Sequence, residues 1–340
     1  MNLITVIGVM KKHVTLFVAG LFLCSLAGCS FFSAGKEPVL EKSFSVSDNQ
    51  ITIYSSAVTD TLNILLFSDT HLFAKDDREK PYEQYSKRMS EAYNVTKHYK
   101  TGEETTPSLV FLETVQVARE KKVDLLAMLG DIFSYPSEYA IEWADSILRD
   151  ARLNYVYVAG NHDWHYEGMP GSSEDLRKTW IDKRLLPLYQ GHNPLYYAVD
   201  AKGVRVLVID NSTYEISAEQ LAFFQEQART GLPLLLMTHI PFYMPGRGVG
   251  YGCGHPNWNK AHDGGCGIER REPWPEEGHT ATTMQFRDEI LNTPNLLAVF
   301  SGHIHHQTLD VSKRNLPMFV GKPNFSGHYY DVTIMPMSVE

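Results

Sequence analysis

Eight side chains of this sequence are of the kinds that hold metal ions or move protons: Asp69, His71, Asp131, Asn161, His162, His239, His303 and His305. Carboxylates and imidazoles together suit hard and borderline divalent cations such as Zn, Mn and Fe, and the lack of thiolates among them argues against a structural zinc finger. A single histidine at the end of a strand is more often structural than a ligand. What makes these eight a set is that each follows directly on an apolar run.

Those runs are the elements that must position them. Residues 62–68 lead into Asp69-Thr70-His71, 125–129 into Gly130-Asp131, 155–159 into Gly160-Asn161-His162-Asp163, 234–238 into His239, and 296–301 into Gly302-His303-Ile304-His305. Short apolar runs bounded by Gly and polar residues read as buried strands. In open α/β sheets, ligand sites collect beyond the carboxyl ends of such strands. Helical spacing over 109–121 and 137–152 places helices between the first three runs, which predicts βαβ units and a parallel core. Strands are expected at 195–199, 204–209, 318–321 and 330–335, with 217–229 as the clear helix among them, and an edge strand at 50–54. The expected class is therefore α/β, with two sheets packed face to face and helices outside.

Two long stretches do not fit that alternation. Residues 73–106 are polar and carry Tyr82, Tyr85, Arg88, Met89 and Tyr93, which suits either a wall of the site or a peripheral helix packed on the flank. Residues 241–278 are crowded with Gly, Pro, Trp and His and read as an irregular loop. Its Cys253 and Cys266 form either a disulfide or, with His255 and His262, a zinc site. Arg270, Arg271 and Trp274 are candidates for substrate contacts, or else a surface ion pair and a packed indole.

Over 340 residues, 43% are hydrophobic and 21% charged, as in an ordinary globular protein. A net charge of -9 disfavours a polymeric nucleic acid as partner, so phosphate chemistry here would need metal ions. The amino-terminal part has Lys11-Lys12-His13, an apolar run over 14–23, then Leu26-Ala27-Gly28-Cys29. This resembles a bacterial lipoprotein signal, which implies cleavage before Cys29, lipid on that residue, and a periplasmic or cell-surface location on a membrane. The alternative is a retained spanning helix, for which the run falls short of roughly 20 residues. Met10 is a more natural start than Met1. The expected organisation is a signal at 1–28, a lipidated tether at 29–48 and one domain at 49–340.

In chain order, Asp69-X-His71, Gly130-Asp131, Gly160-Asn161-His162-Asp163, His239 and Gly302-His303-X-His305 resemble the motifs of the calcineurin-like metallophosphoesterase family, over about residues 62–305. The resemblance implies a four-layer α/β/β/α sandwich of two mixed sheets. It implies one divalent metal (Mn, Fe or Zn) on Asp69, His71, Asp131 and His305, and a second on the shared Asp131 with His239, His303 and the amide oxygen of Asn161. It also implies hydrolysis of a phosphoric ester, by a hydroxide shared between the cations, with His162 as general acid. Asp163 would orient or charge-stabilise His162, or else lie in solvent. A phosphodiester or a phosphomonoester fits, with a small or nucleotide-like substrate; a broad exported phosphatase and a non-catalytic surface lipoprotein are the rivals. Ser134 stands where purple acid phosphatases have a metal-binding tyrosine, and Tyr135 is one place too late. The protein serine/threonine phosphatases carry Glu where this chain has Asp163. His306 is left out of the ligand set, because an extended segment turns it away from His305.

Overall fold

Continuous apolar runs of four to six residues become central strands because both faces of each sheet are covered. The computed structural model describes residues 40–242, 244 and 279–337. One sheet has the order β1 (Lys42–Ser47), β2 (Gln50–Ser55), β14 (Tyr330–Pro336), β3 (Leu62–Phe67), β6 (Leu125–Leu129) and β7 (Tyr155–Val158). Strands β3, β6 and β7 are parallel. β14 lies antiparallel to β3 and parallel to β2. The other sheet has the order β12 (Thr308–Val311), β13 (Pro317–Val320), β11 (Leu296–Ser301), β10 (Leu234–Met237), β9 (Val204–Ile209) and β8 (Tyr196–Ala201), with antiparallel strands only at its edges.

Period-two alternation divides the second sheet between two cores. Val206, Val208, Leu235, Met237, Ala298 and Phe300 join the larger core with the first sheet. Leu207, Ile209, Leu236 and Val299 pack instead with Phe224 of α5 (Ala218–Ala228) and with Phe286 and Ile290 of α6 (Ala281–Asn292). Between the sheets Phe300 stacks on Phe319, which meets Tyr330 edge-on at 6.4 Å and Phe44 at 6.1 Å. Phe111 of α2 (Pro107–Lys121) meets Phe67, and Trp143 of α3 (Glu138–Ala151), on the first sheet's side. The result is the expected α/β/β/α sandwich. Three of its helices start where side-chain oxygens accept backbone amides: Thr106 for α2, Ser137 for α3, and Ser217 in a capping box for α5.

Three expectations are corrected. β2 is not an edge strand, since β1 pairs with its whole length. β1 falls in the stretch assigned to the tether, because its Ser-rich sequence exposes most of its side chains and reads as linker composition. The second half also holds more helix than expected, α6 in particular. Residues 73–106 form a 3₁₀ turn (Asp77–Tyr82), α1 (Glu83–Ala92) and a small ribbon of β4 (Thr96–Lys97) and β5 (Glu104–Thr105). Buried Glu79 of that turn accepts a hydrogen bond from Arg184 at 2.6 Å, just beyond α4 (Ser173–Trp180), and anchors the excursion to the domain. Among the described residues no helix is long and apolar enough to cross a membrane.

The start of α6 is held by Glu215, which accepts hydrogen bonds from the Thr280 amide at 3.1 Å and from the hydroxyls of Thr280 and Thr283. Burial raises its carboxyl, but bonding to His279, Thr283 and the Thr280 amide outweighs burial and brings its pKa to about 2. A depressed carboxyl adds stability that is present above its unfolded value of 4.5 and is lost as the pH falls through about 2. Glu215→Gln is therefore expected to flatten the acid limb of stability between pH 4.5 and about 2. Urea midpoints taken against pH with chelator present check this; parallel limbs in the two proteins would contradict it.

Candidate metal centre

The strand ends carrying the candidate ligands turn through left-handed backbone. Asp69, His71, Asp131, His303 and His305 have φ of 57, 57, 50, 73 and 53°. Side chains other than glycine rarely adopt this region, and such strain persists only where the surroundings enforce it. Here the turns are stitched together: the amide of Asp69 donates to the Gly130 carbonyl, that of His71 to the Asp131 carbonyl, and that of Gly302 to the His239 carbonyl, all at 2.9–3.0 Å. Glycine lets them close. A Cβ on Gly160 would stand 2.2 Å from the amide nitrogen and Oδ1 of Asp131, and one on Gly302 would stand 2.2 Å from Ser68 Oγ and 2.6 Å from Asp69 Oδ2.

Two ligand clusters result, each drawing on both sheets: Asp69, His71 and His305 form one, and Asp131, His239 and His303 the other. In the first, Nε2 of His71 and Nε2 of His305 are 3.2 Å apart, and Asp69 Oδ1 is 3.4 Å from His305 Nε2. In the second, His239 Nε2 is 3.2 Å from Asp131 Oδ2. Donor atoms held at about 2.0–2.2 Å from one cation lie roughly 3.0–3.5 Å from each other. The observed separations fit that spacing. Asp131 Oδ2, His239 Nε2 and Asn161 Oδ1 are moreover buried and make no hydrogen bond. Buried polar atoms are otherwise nearly always bonded, so these three suit a cation. Nδ1 of His239 lies 2.7 Å from the Leu129 carbonyl, and donation there leaves Nε2 free to ligate.

The electrostatics agree. Burial opposes the charge of Asp131, yet His239, His162 and His71 hold its carboxyl well below the ordinary range. Burial lowers the His239 imidazole, but Asp131 and Asp69 raise it to about 9. Without a cation His239 thus keeps its proton and faces the Asp131 carboxylate as a buried ion pair, and a cation would displace that proton.

Asp69, His71, Asp131, His239, His303 and His305 come together in the clusters, and buried Asn161 sits on the same loop as His162. The His162 ring lies 5.2 Å from that of His71, and its amide donates to Asp131 Oδ1 at 2.8 Å. Asp163 neither faces solvent nor is shown orienting His162. It is fully buried, and its two oxygens accept the amides of Phe133 at 2.8 Å and Gly160 at 2.7 Å, clasping two ligand loops. His306 is exposed and belongs to neither cluster. The Tyr135 hydroxyl donates to the Phe73 carbonyl at 2.7 Å. Cys29, Cys253, Cys266, Arg270, Arg271 and Trp274 lie outside the described residues.

Sequence reasoning passed over two groups. Asn211 follows β9 as the ligands follow their strands; its Oδ1 accepts the amides of His239 and Ile240 while its Nδ2 donates to the Ile240 carbonyl. The run 204–209 ending in Asp210-Asn211 carried the same signal as the other five. Phe325 packs with Tyr93 around His71 and His305; Tyr93 falls within a stretch that reads as site wall or flank, but nothing in the spacing singles it out, and nothing marks Phe325.

The close approach of the glycines has a direct test. Gly160→Ala and Gly302→Ala are each expected to cost about 1–3 kcal/mol in urea unfolding and to lower the metal content per chain. A variant retaining the parent's metal content and midpoint would show that the loops can part without loss.

Comparison with known proteins agrees with this geometry. The profile of the calcineurin-like phosphoesterase family matches residues 62–307. A curated protein from Fibrobacter succinogenes, described as a probable cyclic nucleotide phosphodiesterase, is 26% identical over 133 residues, covering 38% of this chain and 47% of that protein, so the match spans about half of the relative's length. Among solved structures, the chain resembles a dimetal phosphatase from Danio rerio with a TM-score of 0.48 and 12% identity, over 79% of this chain and 91% of that one. It also resembles a purple acid phosphatase from yellow lupin with a TM-score of 0.47 and 11% identity, over 83% of this chain and 48% of that one. On the family match, which covers most of its length, the chain belongs to the calcineurin-like phosphoesterase family.

Proposed function

We propose that the chain hydrolyses a phosphodiester of nucleotide-like character at a centre of two divalent cations. The observation that carries this is the pair of His and carboxylate clusters, each built from both sheets, with His162 packed against one of their imidazoles. When bound, two such cations supply an ionised water as nucleophile and positive charge against the phosphoryl oxygens. Asp69, His71 and His305 would hold one, while His239, His303 and the amide oxygen of Asn161 would hold the other. Asp131 is the candidate bridge, since its charge is needed to keep two cations at short range. His162 would give its proton to the leaving alkoxide oxygen as the P–O bond breaks, a role that suits an imidazole near neutral pH. Asp163 keeps the loops of Asp131 and Asn161 together while this happens. The diester and nucleotide parts of the reading are supported by the description of the Fibrobacter relative. The amino-terminal pattern ending at Cys29 supports export and a lipid anchor, with a tether that stops before β1.

Purified in detergent and loaded with Mn or Zn, the protein is expected to hydrolyse a chromogenic aryl phosphodiester faster than its monoester. His162→Ala should lower kcat by roughly 10²–10⁴-fold with metal content kept, whereas Asp131→Ala should lose metal as well as turnover. Preference for the monoester would replace the diesterase reading with that of a phosphatase. Two bound metals without turnover of either ester would sink the small-ester reading.

A further inference from the structure

Different contacts are seen at His239 of the second cluster and His71 of the first. His239 is fixed through its second ring nitrogen and through the Asn211 clamp on its backbone, all within strands and strand ends. The ring of His71 is packed face-on by Tyr93, at 4.3 Å between centroids and 28° between planes. Tyr93 in turn stacks on Phe325 at 4.7 Å and meets His305 edge-on at 5.5 Å, and Phe325 meets His305 at 5.3 Å. Both imidazoles of the first cluster are thus enclosed in a packing of four rings. Tyr93 belongs to neither sheet; it directly follows α1 in the excursion 73–106. The excursion reaches Phe325 a second time, because the Thr96 hydroxyl donates to the Phe325 carbonyl at 2.6 Å and the Tyr99 amide to the Ser326 carbonyl at 3.0 Å.

We propose that Tyr93 is a positioning residue for the first cluster, and that occupancy of that cation position depends on the excursion being seated. This rests on the dinuclear reading above. The torsion that turns an imidazole about its Cβ is broad, so rings packed on it help to set its plane. Ligand affinity depends on that orientation, and loss of a residue that orients a ligand typically weakens metal binding about 10–100-fold. A ring at position 93 is needed for this, whereas its hydroxyl is not.

The test uses the full chain in detergent, stripped of metal and titrated with Co²⁺ while calorimetry and visible d–d absorption are followed. Wild type is expected to take two ions. Tyr93→Phe should match it, and Tyr93→Ala should keep one tight ion while the other weakens about 10–100-fold; the lost band should be the one lost in His71→Ala. Two ions bound by Tyr93→Ala with unchanged affinity and spectrum would overturn the proposal. Equal weakening of both ions, or a Tyr93→Phe variant as impaired as Tyr93→Ala, would also overturn it. A wild type that takes fewer than two ions would overturn the dinuclear reading itself, a result separable from the others.

Discussion

Asp69 and Asp131 place two carboxylates at the seam between the sheets, 0% and 1% exposed. A buried anion without compensation costs several kcal/mol, so its surroundings must answer it. The answers recruit the rest of the structure. Asp69 accepts the hydroxyl of Ser68 at 2.6 Å and the amide of His303, which comes from the opposite sheet. Asp131 accepts the amide of His162 and faces the imidazole of His239. To bring these donors in, the strand ends must turn left-handed and the loops must pass each other at glycine. Two divalent cations would complete the same balance of charge, and the sheets are arranged so that each cation would be reached from both.

Most of that arrangement was legible because it is local. A strand-end histidine or aspartate announces itself by the apolar run before it, and six cluster residues were read in this way. Their chemistry, imidazole with carboxylate, then limits the kind of ligand. The central strands were legible for a related reason: a run buried on both faces is almost wholly apolar, as in Leu125–Leu129 and Leu234–Met237.

What stayed hidden depends on contacts distant in sequence. Tyr93 was visible only as an aromatic in a polar stretch, and its place beside His71 follows from how the excursion docks. Both readings of that stretch hold in part, since Tyr82, Tyr85 and Tyr93 pack on the core and Tyr93 also lies against the candidate ligands His71 and His305. Asp163 reads in the sequence either as a partner of its neighbour or as a carboxylate in solvent, whereas it is buried and its oxygens accept the amides of Gly160 and of Phe133, 30 residues away. β1 was missed because an open strand with one half-buried Phe44 has nearly the composition of a linker.

The position of β14 bears on how such a molecule is made. It fills the gap between β2 and β3, so the strand that leads into Asp69 and His71 is paired by β6 on one side but stays open on the other until residues 330–336 arrive. His71 and His305, which meet at the first cluster, are 234 residues apart in the chain. Contacts of such long range form slowly, and strand edges left open meanwhile invite pairing with other chains. Emerging from the ribosome in order, the chain would carry β2 and β3 each with one open edge until β14 is made. Protection of the nascent chain then bears on how much of it survives, alongside the stability of the finished sandwich.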